Sequence, residues 1–157
     1  MLYIFDMDGT LIKSYMDRPD KDYHAVELLP GVKERIEALW FQGHAIAIAT
    51  NQGGIAFGHT SEEDYHRKLE QVFDQLGLPA TIPVAVCFSD VRSKNPRYNQ
   101  PADAARRKPC GAMLRELMAA AGLSIDQTMF IGDRPEDEAA AADAGVQFQW
   151  AKDFFEW

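Results

Sequence analysis

Cysteine is scarce in this 157-residue chain, with only Cys87 and Cys110 present. Two thiols cannot build a disulfide framework or an all-cysteine zinc site, and they suit a reducing compartment as packed side chains. Positive charge is also short: 16 lysines and arginines face 24 acids, for a formal net charge of −8. That balance argues against broad attraction to nucleic acid or to an anionic membrane, although a local basic patch can still hold phosphate. Long hydrophobic runs are missing. The apolar start Leu2 to Phe5 is cut at once by Asp6 and Asp8, so the chain reads as cytoplasmic, without a membrane span or targeting segment. Internal repeats and low-complexity tracts are absent too, and the one long loop signal covers about 89–105.

What is present is enough apolar material, 46% of residues, for one compact domain over 1–157 with that loop as an insertion. Leu2 to Phe5, Ala45 to Ala49, Pro83 to Phe88, Thr128 to Ile131 and Val146 to Trp150 are short apolar runs of the buried-strand kind. Between them lie helical patterns. Pro30 opens one that puts Val32, Ile36, Leu39 and Trp40 on one face and closes at Gly43. Thr60 and Glu63 have capping-box spacing before a face of Tyr65, Leu69, Val72, Phe73 and Leu76 that ends at Gly77. Met113, Leu114, Leu117 and Met118 mark a helix ending near Gly122, and another spans about 135–144. Strands alternating with helices predict an α/β fold: a mainly parallel sheet of Rossmann-like type with helices on both faces. Ligands of such sheets sit outside the carboxyl ends of the strands. Asp6, Asp8, Thr50, Lys108 and Asp133 all fall at or just after strand or loop ends.

Cleaving a phosphomonoester needs a nucleophile, a proton for the leaving oxygen, and positive charge against the phosphoryl oxygens. Asp6-Met7-Asp8-Gly9-Thr10 supplies two carboxylates on a tight turn, one able to attack phosphorus and the other able to donate and accept a proton. An anionic nucleophile repels a dianionic substrate unless a divalent cation bridges them, and Asp133 and Asp137 offer oxygen ligands for one. Thr50 and Asn51 offer a hydroxyl and an amide to phosphate oxygens beside the Gly53-Gly54 pair. Arg106-Arg107-Lys108-Pro109 reads as a helix opening whose lysine neutralises nucleophile and phosphoryl group. Each segment alone also reads blandly: a solvated acidic turn, a polar turn, a basic cluster, or a helix cap at Asp133.

In this order the four segments resemble the haloacid dehalogenase superfamily of phosphohydrolases, from Leu2 to about Gly145. Asp6 to Thr10 matches its Asp-x-Asp-Gly-Thr motif, Thr50 its strand-terminal Thr or Ser, Lys108 its lysine, and Gly132, Asp133 and Asp137 its Gly-Asp-x-x-x-Asp motif. The resemblance implies Asp6 as nucleophile and Asp8 as general acid and base. It implies Mg2+ bound by Asp6, the backbone carbonyl of Asp8, and Asp133, with Asp137 supporting that site from behind and Thr50 and Lys108 holding the phosphoryl oxygens. The stretches 50–56 and 107–113 are similar to segments shared by heptose-bisphosphate phosphatases, histidinol-phosphate phosphatases and polynucleotide 3′-phosphatase domains. The first two commonly carry a zinc loop of three cysteines and a histidine, which this interval lacks, so no structural zinc is expected.

Neither the segment 11–29 nor 55–105 has room for a large cap domain, so the site is expected to be open. Arg92 and Arg97 on the long loop, with Arg107, are candidate substrate contacts. Arg134 is a candidate for the same basic rim, and His24, His44, His59 and His66 have no metal-ligand spacing. The expected substrate is a small sugar or metabolite phosphate, or a nucleic-acid 3′-phosphate. The competing readings are a phosphate-accepting signalling module and a non-enzymatic partner-binding protein that keeps the fold. Trp150, Phe154, Phe155 and Trp157 are expected to close the core of a monomer or to meet a second copy in a homodimer.

Overall fold

The computed structural model describes residues 1–18 and 25–157, which leaves His24 and part of the 11–29 segment outside the described residues. Strand β1 (Leu2–Phe5) is the centre of a five-stranded sheet. β2 (Ala45–Asn51) and β3 (Val84–Cys87) lie to one side, β4 (Thr128–Gly132) and β5 (Gln147–Trp150) to the other. Every pairing is parallel. The chain therefore builds outward from β1 in one direction, returns, and builds outward in the other.

The helices are α1 (Val32–Phe41), α2 (Gly53–Ala56), α3 (Glu62–Leu76), α4 (Pro101–Ala104), α5 (Ala112–Ala121), α6 (Pro135–Ala144) and α7 (Ala151–Phe154). Side chains alternate across β1. Leu2 and Ile4 join Met113 and Leu114 of α5 and Ala140 and Ala141 of α6 in one core, while Phe5 joins Ile36 of α1, Val72 of α3 and Phe154 of α7 in the other. Burying an aliphatic or aromatic side chain contributes roughly 1.5–3 kcal/mol. β1 is packed in this way on both faces, so the turn that follows it hangs from the most tightly held strand of the sheet. Among the described residues, no second sheet or helical bundle stands over the strand ends.

Several local expectations change. Val32, Ile36 and Leu39 complete the buried stripe of α1, and Trp40, one position past it, is 38% exposed. Ser61 rather than Thr60 caps α3, its hydroxyl accepting from the Asp64 N–H at 3.1 Å. Leu11 and Ile12, at the start of the 11–29 segment, are buried. The 89–105 loop contains a 3-10 turn at Pro96–Tyr98 and helix α4. Lys108 does not open a helix: α5 begins at Ala112, and Lys108 lies in the preceding turn. At the C-terminus Phe154 and Phe155 are buried, whereas Trp157 is 45% exposed and donates from Nε1 to the Pro30 carbonyl at 2.7 Å. No helix among the described residues is long and apolar enough to cross a membrane.

Candidate active site

The carboxyl ends of β1 and β2 open onto a cavity of about 560 Å3 whose walls include Asp6, Asp8, Asn51, Arg107, Lys108 and Asp137. It sits beside the point where strand order reverses, the usual ligand position in a sheet of this kind. Asp6 follows β1 directly, and its N–H donates to the Ile131 carbonyl at 2.9 Å, which ties it to β4. The Lys108 ammonium donates to Asp6 Oδ1 and Asp137 Oδ1, both at 2.7 Å, and to the Ala49 carbonyl at 3.1 Å. The Thr10 hydroxyl lies between Asp6 Oδ2 at 3.2 Å and Asp133 Oδ1 at 3.3 Å. Gly9, at φ 89°, is required twice over: the backbone is left-handed, and a Cβ there would collide with the Asp133 carboxylate.

Asp137 Oδ2 accepts from the Asp133 and Arg134 N–H groups, each at 3.1 Å. Both its oxygens are thus engaged, one with Lys108 and one with the backbone. That suits a position behind the site better than direct metal ligation. Arg134, not Asp133, is the N-cap residue of α6, so the Asp133 side chain is not used as a cap.

Burial pushes the Asp6 carboxyl well above its ordinary range; Lys108 opposes this, and Asp137 and Asp133 add to it. Asp133 is also raised, chiefly by burial. Burial alone would lower Lys108, but the Asp6 and Asp137 carboxylates outweigh it and raise the group. One carboxylate oxygen from each of Asp6, Asp133 and Asp137 lies within 4.8 Å of the others. Three acids against the Lys108 ammonium and the half-exposed Arg134 guanidinium, 4.0 Å from Asp133, leave a deficit of positive charge, and the donors are all oxygen. Both facts fit a hard divalent cation such as Mg2+.

Asp8 has separate partners. Lys68 Nζ donates to its Oδ1 at 2.6 Å and Gln52 Nε2 to its Oδ2 at 3.0 Å. Gln52 also donates to Thr50 Oγ1 at 2.9 Å. Neither Lys68 nor Gln52 stands out in the sequence, though one signal for Lys68 exists. It lies three residues after Tyr65 and four before Val72, inside the buried stripe of α3, and is only 8% exposed. Tyr65 lines the same cavity, and its buried hydroxyl has no hydrogen-bond partner among the described residues. Burial, and then the charge of Asp8, push the phenol above its ordinary value.

The remaining candidates divide. Thr50 is buried, its hydroxyl occupied by Gln52 and 3.4 Å from the Asn51 carbonyl. Asn51 was expected to touch substrate, but its amide is committed to Lys108, with Nδ2 donating to the carbonyl and Oδ1 accepting the N–H, each at 3.1 Å. It holds the lysine turn in place. Arg92 and Arg107 reach the cavity. Asp90 accepts from Arg92 at 2.7 and 3.0 Å and lies 3.5 Å from Arg107 Nε, while Arg107 Nη1 is buried without a hydrogen-bond partner among the described residues. The Arg92 hydrogen bonds hold the Asp90 carboxyl down at about 2. Arg97 does not reach the cavity, because its guanidinium turns outward to Glu62 at 2.8 Å. Arg134 and His59 line the wall. Cys87 is a packed thiol pushed up to about 11 by burial, its Sγ donating to the Asp103 carbonyl at 3.1 Å.

Residues 1–155 match the family described as Polynucleotide kinase 3 phosphatase. The bifunctional polynucleotide phosphatase/kinase of Schizosaccharomyces pombe is 26% identical over 168 residues, an alignment that takes in 96% of this chain and 36% of that enzyme. The chain thus spans about a third of that relative's length. Among solved structures, a HAD-like phosphatase from Mesorhizobium loti superposes with a TM-score of 0.77 at 25% identity, covering 92% of this chain and 68% of the other. The D,D-heptose 1.7-bisphosphate phosphatase of B. bronchiseptica, solved with magnesium and phosphate, superposes with a TM-score of 0.70 at 26% identity, covering 94% and 78%.

Proposed function

The chain belongs to the Polynucleotide kinase 3 phosphatase family and is a haloacid dehalogenase superfamily phosphatase, and we propose that it cleaves its phosphomonoester by transferring the phosphoryl group to Asp6. The observation that carries this reading is the Lys108 ammonium, 2.7 Å from both Asp6 and Asp137 on the wall of the cavity. It sets a fixed positive charge against Asp6 where a phosphoryl oxygen would lie, and favours the ionised nucleophile that burial disfavours.

An Asp6 oxygen bonds to phosphorus as the ester phosphorus–oxygen bond breaks, and the proton on Asp8 passes to the departing oxygen. Asp8 then takes a proton from the water that attacks the acyl phosphate, inorganic phosphate leaves, and Asp6 is restored. Mg2+ held by Asp6, Asp133 and the Asp8 carbonyl supplies, when bound, positive charge against the phosphoryl oxygens. Asp137 and Asn51 orient Lys108, and Thr10 fixes Asp6 against Asp133.

The relatives' names point to two substrate classes, a sugar phosphate and a polynucleotide end. The charge distribution favours the compact one. Arg92, Arg107, Lys68 and Arg134 all line the cavity, with Asp64 and Glu136 on the same wall, but beyond it Arg97 is paired with Glu62, and Glu63 follows at the start of α3. A nucleic-acid backbone leaving the cavity on that side meets acids instead of a basic track.

The test is Mg2+-dependent phosphate release from a panel of sugar, amino-alcohol and nucleotide monophosphates and from a 3′-phosphorylated oligonucleotide, with Asp6→Asn as blank. A kcat/KM at least roughly tenfold higher for one small phosphate supports the compact substrate, and the reverse order overturns it. Equal release by Asp6→Asn and the parent overturns the nucleophile.

A further inference from the structure

Helix α3 lies outside the four segments that carry the chemistry, yet it places a buried cation against Asp8. Lys68 Nζ lies 2.6 Å from Asp8 Oδ1, the two side chains being 10% and 23% exposed. Burying a lysine among Tyr65, Val72 and Leu76 costs the loss of its hydration and a long side chain's rotamer freedom, so the pairing with Asp8 must offset both. A fold that needed only packing here would do better with an apolar residue. We propose that Lys68 is a positioning residue for Asp8: with Gln52 on the other oxygen, it holds the carboxylate against the leaving-group side of the cavity. The inference rests on the reading of Asp8 as proton donor.

The pair spans 60 residues of sequence and joins the turn after β1 to the middle of α3. Gln52 closes the opposite side from the end of β2, and it is in turn braced by Thr50. A carboxylate held by one donor on each oxygen has no free rotation about its side chain. Removing the ammonium leaves only the amide, and the proton spends less of its time in line with the departing oxygen. Breaking the ester bond to an alkyl oxygen requires that proton, because the alkoxide is a poor leaving group. A nitrophenolate leaves without it.

The experiment measures kcat/KM, which reports the steps up to phosphoryl transfer, for Lys68→Met, Lys68→Arg and Asp8→Asn across p-nitrophenyl, phenyl and alkyl phosphates. Lys68→Met should lose less than about threefold on the nitrophenyl ester and roughly tenfold or more on the alkyl esters, with Lys68→Arg recovering most of the alkyl loss. A uniform loss across the series, with Asp8→Asn graded, overturns the role of Lys68 alone. A flat profile for both variants overturns the Asp8 reading and this inference with it. If Lys68→Met does not fold, as judged by circular dichroism, Lys68→Gln is measured in its place against the same outcomes.

Discussion

Lys108 and Asp137 meet at 2.7 Å with each side chain 3% exposed, and the same ammonium lies equally close to Asp6. A charge this deeply buried exists only because its partners are fixed. Its removal leaves three carboxylates with only the Arg134 guanidinium, 4.0 Å from Asp133, as counter-charge, and breaking a buried pair of this kind costs about 3–5 kcal/mol. Lys108→Met should therefore lower stability by that order in urea melts without metal. Added Mg2+ should restore more stability to the variant than to the parent, since the ion then offsets the larger deficit. Phosphatase turnover should fall below about a hundredth of the parent value in either case.

Asp90 carries the acid sensitivity of the substrate rim. Its ordinary value of 3.8 drops to about 2 in the fold, where Arg92 donates to it. A lowered carboxyl contributes stability that is complete above about pH 4 and is lost as pH falls through about 2, a contribution on the order of 1–2 kcal/mol. Asp90→Asn should be less stable than the parent at pH 5 by that amount. The gap should narrow as unfolding is followed down to about pH 2.5. A gap that stays constant with pH assigns the stabilisation to something other than the charge of Asp90.

The guanidinium of Arg107 has a buried Nη1 beside the cavity with no hydrogen-bond partner among the described residues, whereas that of Arg97 is spent on Glu62 outside it. Arg107→Ala should raise KM about tenfold, equivalent to about 1.4 kcal/mol, with little change in kcat. Arg97→Ala should leave both within about twofold. Comparable effects from the two variants would mean that the loop bends inward over bound substrate.

Tyr65 is 2% exposed, and its hydroxyl has no hydrogen-bond partner among the described residues. An unsatisfied buried hydroxyl costs about 1–3 kcal/mol, so Tyr65→Phe should stabilise the ligand-free protein by about 1 kcal/mol in thermal or urea melts. A loss of stability would show that the phenol is satisfied by a bound water.

Much of this architecture is legible in the chain because each of its signals is local. The apolar runs that end in Asp6, Asn51 and Gly132 are strands, and Pro135 to Ala144 is a helix between the boundaries its proline and glycine mark. The acids and the lysine of the site are legible through the order of the four motifs. Gln52 and Lys68 are not. A glutamine in a polar turn has no distinguishing neighbour, and the place of Lys68 inside the apolar stripe of α3 signals its burial but not its partner, Asp8, 60 residues away. The reverse error affects Arg97, while Asn51 lines the cavity yet spends its amide on Lys108. Both are polar residues near the strand ends, but whether such a side chain faces substrate or its own backbone depends on loop geometry that periodicity does not encode. Lys108 shows a milder case: Pro109 reads as a first helical residue, yet the helix begins only at Ala112.

One residue, Met7, separates Asp6 from Asp8, but the two acids answer to different parts of the chain. Asp6 is governed by Lys108, Asp133 and Asp137 from the second half, and Asp8 by Gln52 and Lys68 from the first. In the proposed mechanism, attack and departure are therefore tuned by separate sets of residues. Substitutions along α3 can alter how readily an alcohol is released while the attacking oxygen keeps its surroundings, so this scaffold can drift toward less willing leaving groups without re-engineering its nucleophile.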